Sequence, residues 1–410
     1  MDSIIFTPCA IGPVTLRNRV IRSAAFENMA FNNSPSQMLK DYHVAVSRGG
    51  VGMTTLAYAS VCRSGLSFAN QLWIRDEIVP ALKDITDAIH AQGAKASIQL
   101  GHCGNMTHRA TCGCKPVGAS GGFNLYSPTF VRKLKKEEIL QIVEDFGNAV
   151  NLARKAGFDC VEIHAGHGYL ISQFLSPYTN RRHDEFGGSL DNRMRFMRLV
   201  INKVLECAKD DMGVLVKVNM TDGFRSGLKE EECLLVAKEL ERLKVHALVL
   251  SAGFVSKAPM AVMRGAMPIK TLAHYMDMKH FWWLKLMLHI CGRMMIPTVP
   301  YKDAYFLDMA KRFRKELTMP LIYVGGMTSK ENMEQVLDSG FVALQMARAL
   351  VHDTDFVNKI KDGTVTCSGC KHSNYCIGRM YTLEMKCNRC VENLPGKIQK
   401  EIDKLVKRWE

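Results

Sequence analysis

Two histidines three residues apart, with a tyrosine two residues further on, stand in the stretch CVEIHAGHGYLISQF, residues 160–174. His164 and His167 follow an apolar, strand-like run and alternate with Gly166 and Gly168. Two imidazoles at one point can hold a metal, polarise an oxygen, or satisfy backbone carbonyls in a turn. A metal site needs a third ligand and favours H-x-x-x-H on a helix, where both rings face one way; glycines after a strand do not supply that. Two N–H donors suit a carbonyl oxygen better than a metal, with Tyr169 placed to give a proton to a neighbouring carbanion, although on these residues alone histidines satisfied by backbone carbonyls would be the leading reading.

Something must position these residues. Short β-branched or apolar runs lie near 20–26, 51–59, 95–100, 160–165, 214–220, 247–253, 321–326 and 342–347. Segments of helical period fall between them at about 77–92, 136–157, 190–210, 229–243, 303–317 and 330–339. Eight buried strands separated by helices predict an α/β fold, a (β/α)8 TIM barrel in preference to an open doubly wound sheet. Chemistry in such a barrel lies at the C-terminal ends of the strands, and the histidine pair falls at the end of the fourth.

Residues 3–18, with Pro8, Gly12 and Pro13, suit an N-terminal hairpin capping the bottom of the barrel. Residues 254–320 are too long for an ordinary βα loop and read as an insertion after strand six, a lid or substrate wall. Its methionines and Trp282–Trp283 suit internal packing more than a ligand surface. The expected organisation is a barrel over 1–362, interrupted by 254–320, and a Cys-rich C-terminal extension over 363–410 ending in a basic helix.

With 410 residues, 47% hydrophobic and 23% charged, the chain has the composition of a soluble globular protein. No apolar run approaches the roughly 20 residues of a membrane span, and MDSIIFTPCAIG lacks the marks of a signal peptide, so a cytoplasmic location is expected. The net charge of +14 admits a nucleic-acid or membrane partner, but Lys and Arg are scattered and a solvated basic surface is the plainer reading. Fourteen cysteines without an export signal point to reduced thiols, and any cluster to a metal or redox centre before disulfides.

LSPYTNRRHDEFGGSLDNRMRF follows the histidine motif, and together they closely resemble the Old Yellow Enzyme family of FMN-dependent ene-reductases, in particular its 2,4-dienoyl-CoA-reductase-like branch. The likeness continues through LRNRVIRSAAFEN, RGGVGMTTLAYASV, IQLGHCG, PLIYVGGM and ALQMARALV, over roughly residues 3–360. It implies an FMN site. The backbone around Ser23, Ala24, Ala25 and Phe26, and at Ala57 and Tyr58, would border the flavin ring; Gln99 would meet its pyrimidine edge; Lys217 would stand beside N1 and O2 and favour the reduced anion. Gly325, Gly326, Ala347 and Arg348 would take the phosphate.

The same resemblance implies that His164 and His167 bind the activating oxygen of an electron-poor alkene, that hydride passes from flavin to the β-carbon, and that Tyr169 protonates the α-carbon. NADH or NADPH, or a separate electron-donor protein, would supply the electrons. Two departures stand out. Phe26 brings no thiol or hydroxyl to the flavin, and Lys217 offers a point charge where many relatives carry an arginine fork.

The tail CSGCKHSNYCIGRMYTLEMKCNRC lies where longer members of the family hold a [4Fe–4S] cluster ahead of a second nucleotide-binding domain. Cys367, Cys370, Cys376 and Cys387 are its candidate ligands, but Ser373 falls where one thiolate is due. A site that no longer binds ranks slightly ahead of an iron–sulfur cluster, and paired zinc knuckles including Cys390 come third. The basic segment after residue 390 is too short for the second domain. The thiols and histidines of HCGNMTHRATCGC read as a loop. Two rival functions stay open: a tRNA dihydrouridine synthase-like FMN enzyme, which the positive charge would suit, and a non-catalytic flavin or metal carrier. The expected partner is a small electron-poor alkene, with no nucleic acid and no membrane span; a homo-oligomer also stays open.

Overall fold

The computed structural model describes residues 3–124, 127–276 and 282–407, with the side chains of 282–284 outside that set. Eight parallel strands close into a barrel: β1 (Val20–Arg22), β2 (Met53–Ser60), β3 (Lys95–Gly101), β4 (Cys160–His164), β5 (Gly213–Asn219), β6 (Ala247–Ser251), β7 (Leu321–Val324) and β8 (Ala343–Met346). Each pairs with the next and β8 pairs with β1, so all eight expected strands are present and no edge is left exposed. The outer ring is α1 (Gln37–Arg48), α2 (Val79–His90), α3 (Lys136–Lys155), α4 (Leu190–Ala208), α5 (Glu230–Arg242), α6 (Leu307–Glu316), α7 (Lys330–Asp338) and α8 (Phe356–Lys361).

The local logic is plain in α4. Ser189 caps it by accepting from the Asn192 N–H, and Phe196, Met197, Val200, Ile201 and Val204 recur at helical spacing as one buried face. Each such side chain removed from water is worth roughly 1.5–3 kcal/mol, so a charge at Val200 would undo the packing.

Inside the barrel the residues sort by height. At the N-terminal end Ile21, Met53, Cys160, Leu215, Val249, Ile322 and Ala343 form an apolar layer. The hairpin Cys9–Ile11/Val14–Leu16 adds Cys9, Ile11, Val14 and Leu16 to it from below, as residues 3–18 suggested. Two residues further along the same strand faces the inward positions turn polar: Glu162 after Cys160, Lys217 after Leu215, Ser251 after Val249 and Gln345 after Ala343. Side chains two apart share a face of a strand, so the strands themselves aim this polar set at the barrel mouth.

Three features differ from expectation. Helices α1 and α8 were not foreseen, and neither was a small sheet of Val117–Gly118, Gly122–Asn124 and Thr129–Lys133 in the loop after β3. The insertion holds helices Pro259–Met263, Ile269–Tyr275 and Trp282–Met295, and the C-terminal extension packs on it. Met260, Met267, Ile269, Leu272 and Leu288 meet Cys376, Ile377 and Met385, while Tyr275 meets Tyr375, Ile398 and Ile402. The reading of Trp282–Trp283 as packing falls on side chains outside the described set. No helix among the described residues is long and apolar enough to cross a membrane.

Candidate active site

A cavity of about 990 Å³ opens at the C-terminal mouth of the barrel. Its lining brings together Ser23, Ala24, Ala25, Phe26, Tyr58, Gln99, His164, His167, Tyr169, Lys217, Ala347 and Arg348, residues far apart in sequence that were singled out together. Ala57, Gly325 and Gly326 do not line it. The Ala57 N–H is already given to Glu27 Oε1 at 3.1 Å. The glycine pair lies beneath Tyr305: a Cβ at Gly325 would come within 2.9 Å of that ring, and one at Gly326 within 3.0 Å.

The histidine motif is shaped by its glycines. His167 takes a left-handed backbone at φ 59°, uncommon for a residue with a side chain, and its N–H donates to Asn219 Oδ1 at 3.0 Å. Gly168, at φ 83°, passes so close to Phe254 that a Cβ would sit 2.5 Å from the ring. The Val255 N–H donates to the His167 carbonyl at 3.0 Å, tying the motif to the start of the insertion. The rings of His164 and His167 stand edge to face at 5.1 Å, and Tyr169 lies 4.3 Å from His164.

Both imidazoles are held neutral. Burial lowers the pKa of His164 well below its ordinary value, with help from His167 and Lys217; burial and Lys217 push His167 down to about 3. His167 Nε2 pairs with Ser251 Oγ at 2.7 Å, whereas the buried Nδ1 of His164 has no partner. A buried polar atom left so is costly unless a ligand meets it. Burial, then the Cys103 thiol, raise the Tyr169 pKa, so the phenol keeps its proton throughout the neutral range.

The floor is a buried network centred on Glu162. Its Oε1 accepts from Gln99 Nε2 at 2.6 Å and lies 2.8 Å from Lys217 Nζ, and its Oε2 accepts from Gln345 Nε2 at 2.5 Å. Ser23 Oγ donates to Gln345 Oε1 at 3.0 Å and accepts from Lys217 Nζ at 3.3 Å. The network fixes Lys217 and the Gln99 amide at the cavity wall, where a flat polar ring edge could read them, with Glu162 and Gln345 behind them. With Arg348 at the end of β8, these residues fit an FMN: polar groups for the ring, and a guanidinium for the phosphate. Phe26 stacks on Phe68 at 4.5 Å, filling the wall with carbon where a thiol or hydroxyl could stand.

Sequence reasoning missed Glu162, Asn219, Ser251 and Gln345. Each is a polar residue in a buried strand, two positions from a residue of the site or of the inner layer, a signal that gains meaning only once the strands are assembled.

The tail cysteines are only partly gathered. Cys376 is pushed up to about 12 by burial and then by Cys370, and Cys387 to about 11 by burial, with Cys370 and Cys390 adding to it. Cys387 Sγ lies 3.4 Å from His352 Nδ1, Cys370 Sγ 4.0 Å from His372 Nδ1, and Cys367 is exposed. Among the described residues no group of three or more His, Cys, Asp or Glu is arranged to hold a metal ion. Of the four expected ligands, Cys376 lies in the apolar contact between tail and insertion, Cys370 is near enough to act on it and on Cys387, and Cys367 is exposed.

The profile of the NADH:flavin oxidoreductase / NADH oxidase family matches residues 4–282. The chain belongs to this family, the Old Yellow Enzyme family. Membership makes it an NAD(P)H-dependent flavin oxidoreductase. It is 36% identical over 379 residues to a 4,4'-dithiodibutanoate disulfide reductase of Rhodococcus erythropolis, covering 92% of this chain and 93% of that protein. It is 31% identical to an NADH oxidase of Thermoanaerobacter brockii, of which it spans 51%. Among solved structures, a 2-naphthoyl-CoA reductase complex superposes with a TM-score of 0.80 at 21% identity, over 98% of this chain and 58% of that one. Morphinone reductase superposes with a TM-score of 0.70 at 22% identity, over 95% and 99%. Likeness at that identity establishes the barrel fold.

Proposed function

We propose that this family member is an ene-reductase, passing electrons from NADH or NADPH through FMN to the C=C bond of an α,β-unsaturated carbonyl compound. The observation that carries the reading is the pair of neutral imidazoles at the end of β4, one with an unpartnered buried nitrogen, beside a protonated Tyr169. In this reading residues 1–362 form the flavin barrel, with 254–320 as its lid and 363–410 as an appended segment. Gln99, Lys217 and the backbone of Ser23 to Phe26 would hold the flavin ring, and Arg348 its phosphate.

FMN, when bound, supplies a hydride taken from the nicotinamide. The chain's own residues prepare the acceptor. His164 and His167 donate hydrogen bonds to the substrate oxygen, and because neither carries a charge they polarise it without binding the ground state as an ion pair. Electron density drawn toward that oxygen makes the β-carbon electrophilic. Tyr169 gives its proton to the α-carbon, so one hydride and one proton turn C=C into CH–CH, and solvent restores the phenol.

The cavity favours an acceptor with an apolar body and an anionic end. Met263, Met267, Leu272, Ile296 and Met380 line its outer wall. Lys257 and Arg181 stand at the exposed part of the lining, and among the described residues neither has a carboxylate partner.

A second reading, reduction of a small organic disulfide, is favoured by the Rhodococcus relative, which matches along nearly the whole of both chains. Anaerobic photoreduction of the flavin followed by a panel of enones, unsaturated acids, enoyl thioesters and organic disulfides separates the two, with reoxidation as the readout. Rapid reoxidation by alkenes supports the first reading; reoxidation by disulfides alone replaces it with the second.

A further inference from the structure

The stretch between Cys370 and Cys376 was singled out as an incomplete ligand set, yet it makes closely fitted contacts in the fold. Arg348 Nη1 donates to Asn374 Oδ1 at 2.7 Å. The same amide sends its two N–H bonds to the carbonyls of Arg264, at 2.9 Å, and Ala266, at 3.1 Å, both on the insertion. One acceptor and two donors of Asn374 are thus used at once, on a residue only 2% exposed and held at φ 55°, a left-handed backbone that asparagine tolerates better than most. Two positions earlier, His372 stacks on Tyr301 at 3.7 Å and 19°, and the Arg348 guanidinium lies 5.8 Å from the centre of that Tyr301 ring.

We infer that Asn374 is a positioning residue for the flavin phosphate, acting through Arg348; the inference rests on the reading of Arg348 as the phosphate arginine. The choice of an amide has a physical reason. A carboxylate at this place would fix the guanidinium equally well but would cancel its charge toward a dianion. A neutral oxygen fixes the fork and leaves the charge whole. Among the described residues no carboxylate lies within ion-pair distance of Arg348. The side chain therefore meets the phosphate already ordered, and the rotamer entropy of a long cation is not lost on binding. The insertion and the C-terminal segment, joined by the same amide, become parts of the cofactor seat.

The test titrates the full-length chain, stripped of flavin, with FMN and with riboflavin, which lacks the phosphate. Wild type should prefer FMN. Asn374→Gly, which accepts the left-handed backbone, should weaken FMN roughly tenfold, the worth of a hydrogen bond to a charged group, and leave riboflavin within about twofold. Asn374→Asp keeps an acceptor but adds a negative charge, and should also lower FMN affinity selectively. Arg348→Ala should erase the preference, and Arg348→Ala/Asn374→Gly should be no worse than Arg348→Ala alone. Equal weakening of both flavins by Asn374→Gly, additive losses in the double variant, or an Asn374→Asp chain that binds FMN like wild type would overturn the inference. An unchanged FMN preference in Arg348→Ala would overturn it together with the phosphate reading beneath it.

Discussion

Replacing Glu162 by glutamine should cost the folded state at least about 3–5 kcal/mol, although the two side chains have the same shape. Glu162 is fully buried and uses both oxygens as acceptors, Oε1 toward Gln99 and Lys217, and Oε2 toward Gln345. A glutamine has one acceptor oxygen and one NH2 group. Whichever way it turns, its NH2 faces a donor, and Lys217, 4% exposed, loses its counter-charge. Breaking a buried pair from one side costs about 3–5 kcal/mol because the remaining charge stays out of water, and the donor conflict adds roughly 1–3 kcal/mol that side-chain flips can relieve in part. Urea unfolding of flavin-free wild type, Glu162→Gln, Lys217→Met and the double variant measures this. The double variant should recover most of the loss, since an uncharged pair leaves no unmet charge. A cost under about 1 kcal/mol for Glu162→Gln, or a double variant no more stable than it, would refute the assignment of the floor to this ion pair.

Tyr169→Phe should slow flavin reoxidation by an enone by roughly 10²- to 10⁴-fold, the usual worth of a general acid, with reduction by the nicotinamide unchanged in stopped flow. Gly168→Ala should destabilise the fold by about 1–3 kcal/mol in urea, because φ 83° and a Cβ 2.5 Å from Phe254 are both unfavourable; a neutral result would mean that the turn relaxes freely. Burial, then Lys217, hold the pKa of folded His167 down to about 3 against an ordinary 6.5, so the unfolded chain takes up the proton first as pH falls. Its contribution to stability is complete above about 6.5 and is lost progressively down to about 3. Between those limits wild type should lose about 1.4 kcal/mol per pH unit more than His167→Asn, and equal slopes would contradict a buried neutral imidazole.

The barrel could be read from the sequence because each strand is a short run of β-branched and apolar residues, buried on both sides, between segments of different period. Helix α1 escaped because QMLKDYHVAVSR follows an irregular, Asn-rich loop and its buried face includes His43 and Ser47, which hide the helical period. The three-stranded sheet at 117–133 escaped because its strands are only two to five residues long and one shows an exposed face. For the site, motif residues such as His164 and Tyr169 announced themselves by type and spacing. Glu162 and Gln345 did not, because a buried polar residue becomes meaningful only when four strands bring it to the same height. The union of insertion and tail was beyond reach for the same reason: Arg348, Arg264 and Asn374 are joined across 110 positions of chain by one side-chain amide.

The apolar layer at the base of the barrel makes the hollow a blind well. Ile21, Met53, Leu215 and Ile322 are closed from beneath by Ile11 and Leu16 of the hairpin, all of them fully buried, so nothing passes through the floor. In the proposed reaction the electron donor and the electron acceptor would then reach the flavin site through the same entrance, the mouth of the barrel. If the two share one position in the cavity, the nicotinamide would leave before the alkene enters, and the reducing equivalents would wait on the enzyme in the interval. A shared entrance of this kind would divide the proposed reaction into two halves separated in time, and anything small enough to enter during the pause would compete for the electrons.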